Sequence, residues 1–110
     1  MPRKLCDLKD TFFIEGRGAI LVLPKDDQWQ LSPDEKIHRF ERILIVTPSG
    51  SEIRTFVKDL DFTVRNGARD SNLCFTLPSD IKRGMIPNGS EIWLERDGAE
   101  PVFWEGAPKQ

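Results

Sequence analysis

The chain has 110 residues, 38% apolar and 31% charged, with three tryptophans and seven phenylalanines, which is the composition of one folded domain with a single core and not of a disordered tail. Sixteen Lys and Arg against eighteen Asp and Glu leave a formal charge of -2, so the broad positive field of a phosphate-held protein is absent; the basic patches are local, at Arg3, Lys4 and Lys9 and at Lys36, His38, Arg39 and Arg42. No signal-peptide stretch opens the chain and no segment approaches the roughly 20 apolar residues that cross a bilayer, so a cytoplasmic location is expected, with Cys6 and Cys74 as free thiols.

Apolar residues come in short runs stopped by Gly, Pro, Asn and Asp, without repeat or heptad, and that rhythm predicts strands. Residues 1–8 are expected to fray. Residues 11–14 and 19–23 read as two strands meeting at Gly16-Arg17-Gly18, where the glycines permit the backbone angles of a tight connection. Residues 24–35 are polar and read as a surface loop, with Trp29 either a lid on the core or an exposed ligand platform.

Residues 36–40 and 42–46 read as strands, or as one long strand broken near Glu41, and Pro48-Ser49-Gly50-Ser51 as a hairpin turn. In the next strand Ile53, Thr55 and Val57 alternate with Arg54, Phe56 and Lys58, which puts the two cations and Phe56 on the face opposite Ile53 and Val57. Asn66-Gly67 signals a turn before the strand 72–77, and residues 79–84 suit one helical turn between Ser79 and Gly84. Asn88-Gly89-Ser90 is read as a turn and not as a glycosylation acceptor. The end reads as a hairpin over 91–104, turning at Asp97-Gly98, with Pro101 placing its last strand at an edge; residues 106–110 form a frayed tail.

No Gly precedes a Lys, so no phosphate-binding loop is present. His38 is the only imidazole and lies in an expected strand, which leaves Ser and Cys without an evident base. Two remote cysteines and one histidine do not compose a zinc site, and Asp59 and Asp61 read as solvated neighbours on one strand face. No catalytic, cofactor or metal residues are therefore expected.

Four pieces carry a resemblance: Phe13-Ile14-Glu15-Gly16-Arg17-Gly18-Ala19-Ile20, Ser32-Pro33-Asp34-Glu35-Lys36-Ile37, Asn72-Leu73-Cys74-Phe75-Thr76-Leu77 and Ile81-Lys82-Arg83-Gly84-Met85-Ile86. In this order they resemble the second domain of translation GTPases of the elongation factor Tu type, over residues 10–86. The resemblance implies a small closed or partly open antiparallel β-barrel, here standing alone without a GTPase domain, and packing on neighbours. In that family the pocket for the aminoacylated end of tRNA lies partly on a strand that opens with Asn, which Asn72 matches.

The whole chain, 1–110, is thus expected to be one all-β domain that binds and does not catalyse. The first expectation is a protein partner, from translation machinery, held through Trp29, Phe56, Trp93 and Trp104. The alternative is RNA or tRNA, with Arg17, Arg39, Arg42, Arg54, Lys58 and Asn72 at phosphates and an aromatic ring on a base. Self-association through the edge of the C-terminal hairpin is a further expectation.

Overall fold

The structure, a computed structural model, describes residues 2–24, 28–31, 35–63, 72–96 and 102–103. Among them are eight strands: β1 Arg3–Asp7, β2 Asp10–Ile14, β3 Gly18–Val22, β4 Arg42–Val46, β5 Glu52–Phe56, β6 Asp59–Thr63, β7 Asn72–Thr76 and β8 Glu91–Leu94. They form two antiparallel four-stranded sheets, β1-β8-β4-β5 and β2-β3-β7-β6. The all-β expectation holds; the strands make two sheets and are not closed into one barrel.

Period two decides which residues are inside. Ile43 and Ile45 of β4, Ile92 and Leu94 of β8, and Leu21 of β3 with Leu73 and Phe75 of β7 meet between the sheets. Leu44 and Trp93, the alternate residues, sit opposite each other on the outer face of the first sheet. The edge strands run into one another at two corners. Leu8 donates to the Ser90 carbonyl at 2.9 Å while Lys9 donates to Val22 at 3.0 Å, and Val57 donates to Glu41 while Lys58 donates to Thr76, both at 2.9 Å. Consecutive N–H groups thus serve opposite sheets, and the edges are tied off where each strand bends.

Several expectations change. Residues 1–8 do not fray: Leu5 and Cys6 are buried in the core, and their strand pairs with β8, with a register shift between Lys4 and Cys6. β8 does not belong to an appended hairpin but lies inside the sheet, β1 on one side and β4 on the other, which leaves it no open edge for self-association. With both sides taken, the chain cannot fold back on β8. Instead the Arg42 N–H donates to Val102 at 2.7 Å and Phe103 bridges Glu41, so the returning chain resumes the lane β8 left.

Residues 36–40 form no strand; a turn closes from Glu41 N–H to the His38 carbonyl, and Phe40 takes a positive φ of 67°, which ends any extended run before Glu41. Residues 79–84 give two successive single turns, Ile81 to Pro78 and Met85 to Lys82, in place of a helical turn. Gly16 and Gly18 take φ of 86° and 94°, as the tight β2–β3 connection requires. The turns at 32–34, 66–67 and 97–98, Trp104 and the tail 106–110 lie outside the described residues. Among the described residues, no helix is long and apolar enough to cross a membrane.

Candidate binding surface

The β4–β5 pairing gathers most of the sequence-identified cations. Arg42 and Arg54 project outward from adjacent strands and converge on Glu95, with Arg42 Nε at 3.0 Å from Glu95 Oε2 and Arg54 Nη1 on Oε1. Arg39 donates to the Lys58 carbonyl at 3.1 Å, stands 3.8 Å from Asp59 and lies over the Phe40 ring, which is 6.3 Å from Phe56. Beside them a cleft of about 410 Å³ is lined by Arg42, Arg54, Thr55, Phe56, Pro78, Ser79 and Asp80. Its arginines are already held by one well-covered carboxylate, and Asp80 adds a further negative charge. The cleft is a poor magnet for an anion.

The other residues named from the sequence lie elsewhere. Asn72 is buried, donating from Nδ2 to the Leu23 carbonyl at 2.9 Å, and so fastens the end of β3 to β7. Trp29 is half-buried against the core, its Nε1 donating to the Pro24 carbonyl at 2.9 Å, which matches the lid reading. Trp93 lies between Lys4 and Leu44, and its Nε1 donates to Glu91 Oε1 at 3.0 Å while Lys4 Nζ takes the other oxygen at 3.2 Å. Both indole donors are satisfied internally. Arg17 is exposed at the β2–β3 tip.

Among the described residues the exposed large apolar side chains are Phe12, Ile14, Met85, Val102 and Phe103. Phe12 and Ile14 lie on β2, the edge strand of the second sheet, and Met85 lies in the turn 82–85. Phe12 and Ile14, two residues apart, share the outer face of β2, with Phe12 53% exposed. In that turn Arg83 lies 4.9 Å over the Phe13 ring. A cavity of about 210 Å³ opens here, lined by Thr11, Phe12, Phe13, Ala19, Leu21, Lys82, Arg83, Gly84 and Ile86. Lys82 Nζ donates to the Ser79 carbonyl at 2.9 Å. Among the described residues no carboxylate pairs with Arg17, Lys82 or Arg83, in contrast to Arg42 and Arg54. The signal was present in the sequence: alternation over 11–14 sets Phe12 and Ile14 opposite Phe13.

Away from this surface, a charged network holds the chain ends. Arg3 pairs with Glu35 through both guanidinium nitrogens, and the fully buried Glu41 meets Arg96, Oε2 to Nε at 3.1 Å, close enough to pair charge but not aligned for a hydrogen bond. The His38 N–H donates to Glu41 Oε1 at 3.0 Å and Arg96 Nη2 donates to the Lys36 carbonyl at 2.8 Å. Burial pushes the Glu41 carboxyl above its ordinary range, opposed by the His38 N–H and the Arg96 charge. Cys6 and Cys74 are both buried thiols, and burial pushes Cys6 up to about 12. Among the described residues no three His, Cys, Asp or Glu side chains converge as metal ligands. No family model matches the chain, and comparison with curated proteins and with solved structures finds no match.

Proposed function

We propose that this protein is a non-catalytic binding domain whose partner is another protein, engaged through the β2 edge of the second sheet and the turn 82–85, where Phe12, Ile14 and Met85 are exposed. The observation that carries this reading is the exposure of Phe12 and Ile14 together on the outer face of β2, where Phe12 also borders a cavity lined by Lys82 and Arg83, two cations without carboxylate partners among the described residues. Exposed apolar side chains concentrated in one place and rimmed by charge are the usual mark of a protein contact. Of the tryptophans that sequence alone favoured as anchors, Trp29 and Trp93 donate their indole N–H groups within the protein. The sequence likeness of the β2–β3 hairpin to the translation-GTPase barrel makes translation machinery the first partner class to examine.

The test is affinity capture from the native host lysate with nuclease present, comparing wild type with the Phe12→Ser/Ile14→Ser double variant. Both side chains are exposed, so the variant should keep its melting temperature and lose the captured protein. Capture that is unchanged in the variant, or that disappears with nuclease in the wild type, contradicts a protein partner at this surface; the second outcome would favour RNA.

A further inference from the structure

We infer that the cavity of about 210 Å³ between β2 and the turn 82–85 receives one apolar side chain of the partner, and that Arg83 pairs with a carboxylate adjacent to it in the partner chain. This inference rests on the reading of that edge and turn as a protein contact, and it names what the partner must present there.

The cavity reaches the inter-sheet core, since Ala19, Leu21 and Ile86 line its floor and all three are buried. A cavity of about 150 Å³ is enough for benzene, so a space of about 210 Å³ accommodates a phenylalanine or leucine side chain. Its rim is made by Phe12 and by the turn 82–85, where Gly84 takes a φ of 84° and Met85 N–H closes onto the Lys82 carbonyl at 3.2 Å. An open cleft with Leu21, Ala19 and Ile86 at its floor and Lys82 and Arg83 at its border offers an apolar side chain a place beside positive charge.

Charge chooses the neighbour of that anchor. The Arg83 guanidinium carbon lies 4.9 Å from the centre of the Phe13 ring, and no carboxylate meets it among the described residues. Lys82 adds a second cation whose Nζ donates, among the described residues, to the neutral Ser79 carbonyl. Arg17 stands at the tip of the hairpin one residue pair beyond Phe13 and Ala19, because Ile14 pairs with Gly18 to close that turn. Among the described residues no acidic side chain lines the cavity. A carboxylate next to the apolar anchor therefore meets uncompensated positive charge, whereas at the Arg42–Arg54 cleft it would compete with Glu95.

The probe is a capped pentapeptide with phenylalanine followed by glutamate at its centre, titrated into the isotope-labelled full chain and read by methyl and amide shifts. Shifts at Ala19, Leu21 and Ile86 are expected. Replacing the peptide glutamate by glutamine, or Arg83→Gln in the protein, should each weaken binding about tenfold or more, and the two changes together should cost little more than either alone. Arg83 is exposed, so the Gln variant keeps the wild-type spectrum and its loss of binding is not a loss of fold.

Equal binding of the glutamate and glutamine peptides, equal binding when the phenylalanine becomes alanine, or absence of binding would overturn the inference. Shifts confined to Phe12, Ile14 and Met85 would overturn the buried anchor while leaving the contact surface standing. Peptide binding at the cavity together with undiminished lysate capture by Phe12→Ser/Ile14→Ser would instead remove the surface from the partner contact.

Discussion

Glu41 shows how much of this small fold depends on charge inside it. Its carboxylate is fully buried, and desolvation raises its pKa above the unfolded value. A group whose folded pKa is raised contributes most below its unfolded value, about pH 4, and loses that contribution as pH rises through the folded value. The urea midpoint of wild type relative to Glu41→Gln should therefore fall between about pH 4 and about pH 7; a difference that stays constant would mean the carboxyl is not held out of water. Removing one partner is a separate question. Glu41→Leu strands the buried Arg96 and should cost about 3–5 kcal/mol, while Glu41→Leu with Arg96→Met should recover most of that in chemical denaturation. If the double variant is no more stable than the single one, the pair is not the principal contact of either residue.

The strands differ in how far the sequence reveals them. β3, β4 and β7 are built on apolar runs of three or more residues, buried on both faces or nearly so, and their existence is evident from composition alone. β1 is not, because Arg3-Lys4-Leu5-Cys6-Asp7 is mostly charged and its burial comes from pairing with a strand nearly ninety positions later. The hairpin expected over 91–104 fails for the same reason. Local alternation fitted β8 to a returning neighbour, but Ile92 and Leu94 needed the core, and β1 and β4 took both sides first. Phe40, at a positive φ, has no sequence mark of its own. Deleting residues 1–7 separates the two views of the N-terminus. Loss of Leu5 and Cys6 from the core and of a neighbour for β8 should abolish the cooperative thermal transition, and an unchanged transition would return the segment to a frayed tail.

At the scale of the molecule, the two sheets spend their outer faces differently. The first sheet covers Leu44 with Trp93 and surrounds both with the ion pairs of Lys4, Glu91, Arg42, Arg54 and Glu95, so its face is largely occupied by its own side chains. The second leaves Phe12 and Ile14 uncovered, and Lys82 and Arg83, which share a cavity lining with Phe12, meet no carboxylate among the described residues. The cation-rich segments were legible in the sequence, but their compensation by Glu95 and Asp59 was not, since those carboxylates arrive from distant positions. That asymmetry is what turns attention from the arginines of β4 and β5 to the end of β2. It is tested most directly by hydroxyl-radical footprinting of the protein alone and in its captured complex. The account predicts protection concentrated at Phe12, Ile14 and Met85, with Phe56 and Trp93 unchanged; protection at Phe56 and Trp93 with Phe12 and Met85 still fully reactive would contradict it.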